Sequence, residues 1–244
     1  MMNGREVSSV FRLIFWDKPK RDFLHLLFPS RCILCSEESS SDDPICSFCR
    51  SELQYTRFEE YTEPTELDKL FWGRVSVHGT FALLYFHQNS STKKILHALK
   101  YGNKPETGRM LGKEIGEKIK KIDLFKDLDA LVPVPIHPKK RFVRGYNQSE
   151  ELATGISQFT EIPIDNKFIG KLTHTGSQTK QGRFSRWDNV SENFKLRKTG
   201  KKYKHILIVD DVITTGATLE AMIRSIAKEH PKLSVSIVSL ALTK

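Results

Sequence analysis

The chain has 244 residues, a formal net charge of +10 and 39% hydrophobic residues, enough for one α/β core with a smaller appendage. No apolar run approaches the length of a membrane span. The Val10–Trp16 patch is interrupted by Arg12, closed by Asp17, and followed by no small-residue cleavage site, so no signal peptide is read and a cytoplasmic protein is expected. The positive charge points to polyanionic partners, because part of it is clustered. Lys139, Lys140, Arg141 and Arg144 lie together, and Lys195–Lys204 holds six cations without an acid.

Asp22–Pro29 reads as a short apolar helix or docking segment. Behind it come Cys32, Cys35, Cys46 and Cys49, all the cysteines of the chain, as two C-x-x-C pairs ten residues apart. Two such turns facing each other give the tetrahedral thiolate set that Zn²⁺ needs, and a closed Cys₄ site is of the structural kind. Disulfides fit a cytoplasmic chain poorly. Arg50–Arg74 is polar and acid-rich, either a linker or a helix packed on the zinc module.

Val75–His87 alternates as a strand, with Phe81, Leu83 and Tyr85 on one face. Ser91–Tyr101 is a helix whose Ile95, Leu96 and Leu99 share a face, closed by Gly102. Glu106–Lys121 is a second, with Leu111, Ile115 and Ile119 four apart. Ala130–Val132 starts a buried strand that Pro133 and Pro135 should end, because each removes a ladder donor. A fixed basic loop, Pro138–Gln148, should follow, with Asn147 or Ser149 capping the next helix. Lys198–Lys201 reads as a turn and Leu233–Leu242 as a last strand.

His205–Leu219 organises the rest. Ile206–Val209 is an unbroken apolar run, expected to be a strand buried on both faces that ends on Asp210 and Asp211. Thr214, Thr215, Gly216, Ala217 and Thr218 form a hydroxyl-rich loop before an amphipathic helix. Backbone N–H groups and threonine hydroxyls there can surround a phosphate, Gly216 permits close approach, and the helix N-terminus favours an anion. The two carboxylates repel phosphate but accept from ribose hydroxyls or face a Mg²⁺ carried by a diphosphate. Acceptors beside an anion cradle indicate a sugar phosphate.

Val209–Thr218, with Val212 and Ile213 inside it, resembles the phosphoribosyl diphosphate (PRPP) signature of type I phosphoribosyltransferases. The resemblance implies that Asp210 and Asp211 bind the ribose 2- and 3-hydroxyls and that Thr214–Thr218 hold the 5-phosphate, with Mg²⁺ accompanying PRPP. Purine-salvage members carry a general-base Asp where this chain has Thr214, so hypoxanthine or guanine salvage is not expected. Val134, Pro135, Ile136 and His137 would occupy the pyrophosphate loop, with Lys139, Arg141 and Arg144 near enough to neutralise a diphosphate. Lys171–Asn193, polar and glycine-containing, sits where the superfamily has its flap, and its Arg183 is expected among the catalytic residues beside Asp210 and Asp211.

Several stretches together are similar to the competence protein F (ComF) family: Leu27–Pro29 leading into the double C-x-x-C, Leu99–Gly102, Val132–Pro135, Arg141–Gln148, Thr175–Gln178 through Arg183 and Asn189, and the PRPP signature. The resemblance implies an α/β fold with a mainly parallel sheet of type I phosphoribosyltransferase kind, flanked by helices, plus a small N-terminal Cys₄ zinc module. The organisation expected is a zinc module over 1–60, a linker and first strand over 61–90, and a phosphoribosyltransferase-like domain over 91–244. It also implies handling of incoming single-stranded DNA in natural transformation, with single-stranded DNA and a DNA-translocating helicase as partners. A Mg²⁺-dependent phosphoribosyltransferase with an unidentified acceptor and a non-catalytic PRPP sensor are the competing expectations.

Overall fold

Four apolar runs become the strands of a parallel sheet in a computed structural model that describes residues 31–38, 43–88, 90–171, 194–197, 200 and 202–244. In spatial order they are β1 (Thr80–Phe86), β6 (Ser234–Thr243), β5 (His205–Ile213) and β2 (Ala130–Pro133), every neighbouring pair parallel. Ile206, Leu207, Ile208 and Val209 are all fully buried. Successive side chains of a strand point to opposite faces, so both faces of β5 are covered. The same holds for β1, where Thr80–Leu84 are buried in succession in place of the expected alternation. Each large aliphatic side chain sealed this way contributes roughly 1.5–3 kcal/mol. The chain resolves into two compact units, Met1–Glu52 and Leu53–Lys244, the sheet lying in the second.

Two strands run further than expected. Pro133 belongs to β2, opposite Val209, and the ladder continues to Val134, whose N–H donates to the Val209 carbonyl. Leu131 donates outward, to Pro163, and Pro133, two residues on, points its nitrogen the same way, so no β5 bond is lost. β5 likewise continues past Asp210 and Asp211 to Ile213, because Val212 and Ile213 still lie opposite Ala241 and Leu242 of β6. The carboxylates therefore sit within the last turn of the ladder, where sheet pairing fixes their backbone.

The helices cover the sheet. Within Arg50–Arg74, expected as a linker or a helix on the zinc module, α2 (Glu66–Phe71) instead packs on β1. Its capping box joins Thr65 and Asp68, Leu67 and Phe71 are buried, and Asp68 Oδ1 accepts from Thr80 Oγ1 at 2.7 Å. Helix α3 (Ser91–Tyr101) ends at Gly102 as expected, and α4 (Pro105–Ile119) buries Leu111, Ile115 and Ile119. Pro138–Arg144, expected as an irregular loop, is a short helix, α5, with Pro138 at its first turn and Gly145 in the left-handed conformation behind it. It buries no side chain, so no apolar period announced it.

Helix α6 (Gln148–Thr160) is capped by Asn147, which accepts from the Ser149 N–H. It crosses α4 at backbone distance: a Cβ on Gly112 would lie 2.1 Å from the Leu152 carbonyl oxygen, and one on Gly155 1.9 Å from that of Arg109. Only glycine fits at either place. The remaining elements are α7 (Ala217–Glu229), packed between β5 and β6 in sequence, and an antiparallel pair of short strands, β3 (Ile169–Lys171) and β4 (Phe194–Leu196). No helix among the described residues is long and apolar enough to cross a membrane.

Candidate functional site

The first unit is built around its cysteines. Ser36, in the left-handed conformation, turns the chain so that its N–H donates to the Cys32 carbonyl, and the short helix α1 (Ser47–Ser51) starts after Cys46. Backbone N–H groups of Leu34 and Cys46 point at Cys32 Sγ, each at 3.4 Å, and that of Cys49 at Cys46 Sγ, at 3.5 Å. All four Sγ atoms lie within 4.8 Å of one another, with Cys35 and Cys46 at 3.8 Å. A tetrahedral Zn²⁺ with bonds of about 2.3 Å spaces its sulfurs at about 3.8 Å, so the donor set fits this ion.

The thiols are free, and their acidities are split. Burial opposes ionisation of Cys32, but the N–H donors of Cys46, Cys35 and Leu34 outweigh it and hold that thiol at about 6. Burial and the neighbouring thiols push Cys49 up to about 12. A cluster of this kind resists a full set of negative charges until a divalent cation compensates them.

In the second unit, β5 delivers Asp210 and Asp211 to the carboxyl end of the sheet, the end at which open α/β sheets hold ligands. Asp210 is 9% exposed. Its Oδ1 accepts the Asp211 N–H at 2.8 Å and faces the Ser149 hydroxyl at 3.4 Å. Burial, reinforced by the Asp211 charge, pushes the Asp210 carboxyl well above the usual carboxylate range, to about 8. Asp211 stays paired: its Oδ2 meets Lys100 Nζ at 2.9 Å. Lys100 comes from the last turn of α3.

The loop beyond β5 presents Thr214, Thr215, Ala217 and Thr218 to solvent and buries Ile213 and Gly216. Gly216 adopts φ +71, and a Cβ there would stand 3.0 Å from Phe71 Cε1. Conformation and space both require glycine. Gly216 rather than a threonine is the residue before α7, and Thr215 Oγ1 accepts the Ala217 N–H at 3.4 Å. The first N–H groups of α7 and the threonine hydroxyls lie together here, a ready anion cradle. Arg74 holds the loop from behind: Nη1 donates to the Thr215 carbonyl at 2.8 Å and to that of Leu70 at 3.0 Å, and Nε donates to Glu220 at 2.9 Å.

Beside this loop runs the one after β2. Pro133 lies opposite Val209, so the loop that begins at Val134 and runs through Pro135, Ile136 and His137 leaves the sheet at the same end as the carboxylates. Asn147 Nδ2 donates to the Val134 carbonyl at 3.0 Å and fixes the turn. His137 Nδ1 accepts the Lys139 N–H and starts α5. The two arginines of α5 are engaged: Arg141 Nη1 meets Glu150 at 2.7 Å, whereas Arg144 donates to Gln148 at 2.9 Å and lies over the Tyr101 ring. Both are exposed or half-exposed and can exchange these partners for a stronger anion.

Arg183 and most of the expected flap lie outside the described residues. The flap's ends are the paired β3 and β4. Lys171, the last residue of β3, is lowered by burial and by Lys140, whereas the Asp210 charge acts the other way, so the base of this segment lies in the field of the site. Lys100 and Arg74 had no assigned role on sequence alone, and Ser149 was expected only as a helix cap. Lys100 stood inside the Leu99–Gly102 stretch, which was a signal; for Arg74 there was none.

Residues 156–244 match the phosphoribosyl transferase domain and residues 23–60 the double zinc ribbon domain. Competence protein F of Haemophilus influenzae is 27% identical over 85% of this chain and 89% of its own length. Competence protein ComFC of Bacillus subtilis is 22% identical over 86% and 93%. The chain is thus similar to competence protein F and its relatives over most of its length. A further relative is the DNA utilization protein YhgH of Escherichia coli K12, 24% identical over 77% of this chain and 80% of that one. Among solved structures, a hypoxanthine phosphoribosyltransferase from Staphylococcus aureus covers 57% of this chain and 64% of its own at 16% identity, with a TM-score of 0.34. The chain combines two parts, a phosphoribosyltransferase-type parallel sheet and an N-terminal cysteine module of zinc-ribbon type.

Proposed function

We propose that the protein binds PRPP, or a closely related ribose phosphate, and serves the handling of incoming single-stranded DNA in the cytoplasm. The observation that carries the first part is the placement of Asp210 and Asp211 at the end of β5, one short threonine-rich loop before the N-terminus of α7. The 5-phosphate would lie on the Thr214–Thr218 backbone and hydroxyls, where N–H groups and the helix field favour it. Asp210 and Asp211 would accept from the two ribose hydroxyls. Pro135–His137 would border the diphosphate, with Arg141 and Arg144 turning from Glu150 and Gln148 to meet it.

Mg²⁺ would enter with the diphosphate, and Asp210 and Asp211 are the carboxylates in place to hold it or its water shell; the ion would supply neutralisation of the diphosphate charge. Asp210 would release its proton as it accepts these donors. The second part of the proposal rests on the competence and DNA-utilization relatives and on the net charge of +10.

Calorimetric titration with PRPP and Mg²⁺ tests the site, and assay of pyrophosphate separates a transferase from a PRPP-responsive regulator. Saturable binding without pyrophosphate release identifies the regulator. Binding with release calls for an acceptor search, directed away from purines because Thr214 offers no base.

A further inference from the structure

Two grooves open on either side of the segment Arg74–His78 that leads into β1, and Val75 and Val77 line both. The first, of about 900 Å³, follows the second half of α7 and the turn before β6. Arg74, Arg224, Lys228 and Lys232 line it with the imidazoles of His78 and His230, and no carboxylate is among its lining residues. Arg74 and Arg224 share one acid, Glu220. Lys228 and Lys232 have no ion pair among the described residues. The C-terminal end of α7 carries only about half a negative charge, so the groove stays strongly cationic.

The second groove, of about 320 Å³, differs in kind. Phe58 and Phe71, 5% and 1% exposed, form its floor, and its rim carries Tyr61 and Trp72, 58% and 61% exposed. Its lining holds no cation and two carboxylates, Glu63 and Asp68, the latter engaged by Thr65 and Thr80. None of the residues Asp210–Thr218 lines either groove. Fixed cations beside exposed aromatic faces form the combination that binds unpaired nucleotides: the cations take phosphates and the rings take bases. A duplex keeps its base faces stacked and offers them nothing. An acidic peptide would use the cations but would leave Trp72 without a partner.

We propose that the two grooves form one binding track for single-stranded nucleic acid, with phosphates against Arg224, Lys228 and Lys232 and a base stacked on Trp72. The choice of ligand rests on the DNA-handling reading above; the placement rests on the grooves themselves, which share Arg74 and Phe71 with the back of the Thr214–Thr218 loop but none of the residues Asp210–Thr218.

The test is fluorescence anisotropy of a labelled oligo-dT with the full chain, against Lys228→Ala with Lys232→Ala, and against Trp72→Ala. All three positions are exposed, and unchanged PRPP affinity and melting temperature would confirm that the variants fold. The expected result is a loss of about tenfold for each variant. The lysine pair should also flatten the plot of log affinity against log salt by about 1.4, two phosphates at about 0.7 each. Wild-type affinity and slope in both variants would overturn the track and leave the DNA-handling reading standing. Failure of the wild-type protein to bind oligo-dT would overturn both. Competition by poly-glutamate or duplex as effective as by oligo-dT, with no effect of Trp72→Ala, would overturn the track in favour of a partner recognised by charge alone.

Discussion

The two sites differ in how far along the chain their parts are gathered. The cysteine cluster is complete within Cys32–Cys49, and the N–H groups that donate to its sulfurs come from the same turns. The β5 site begins equally locally, with Asp210–Thr218, but is finished by Lys100 from α3, Ser149 from α6 and Arg74 from the approach to β1. A local site stands or falls with its ligands. A gathered site can be weakened in steps, and by residues that never touch the ligand.

The largest effect expected is therefore at the cysteines. The purified protein should hold one zinc per chain, and Cys46→Ser should abolish stoichiometric binding, because structural zinc contributes on the order of 10–16 kcal/mol to small modules. Elemental analysis together with protease resistance of the N-terminal region checks this. A metal-free wild-type protein resistant in that region would break the comparison.

Next in size is Asp210→Asn with Asp211→Asn. Charged acceptors contribute about 1.5–3 kcal/mol each, so PRPP affinity should fall at least about a hundredfold by calorimetry, with the fold retained. Retained affinity would show that the carboxylates do not meet the ligand. Gly216→Ala acts one step further out. It forces a side chain into φ +71 and against Phe71, which should cost about 1–3 kcal/mol. Melting temperature should drop by roughly 2–12 °C, and PRPP affinity should fall with it.

The distribution of what sequence revealed follows the same contrast. The C-x-x-C spacing, the Ile206–Val209 strand and the bounds of Ser91–Tyr101 were all legible, because each is encoded by adjacent residues. Glu66–Phe71 was masked by its acids, although Thr65 and Asp68 spelled a capping box. Pro138–Arg144 had Pro at its start and Gly behind it but no buried face to give a period. The end of β5 was misplaced because Val212 and Ile213 are held by β6, not by their own propensity. The roles of Lys100, Ser149 and Arg74 depend on chain crossings that no local pattern records.

The remaining effect is the most specific to Asp210. Its folded pKa is raised to about 8, against about 3.9 for an unfolded Asp. The native state then binds more protons across that window, so this group's contribution to stability is full below about 4 and is lost as pH rises toward 8. Asp210→Asn cannot titrate and should gain on the wild type from pH 5 to pH 8, by about 1 kcal/mol per pH unit at most. Melting curves at three pH values check it; a constant difference would mean that Asp210 is ionised throughout.

The central claim is that the end of β5 and the start of α7 form a ribose phosphate site. Titration of the zinc-loaded protein with PRPP and Mg²⁺, repeated with Thr214→Ala and Thr215→Ala together, tests it most directly. Saturable one-site binding that the double variant loses is the result this account predicts. No binding by a well-folded wild-type protein would contradict it and leave the β5 motif as scaffold alone.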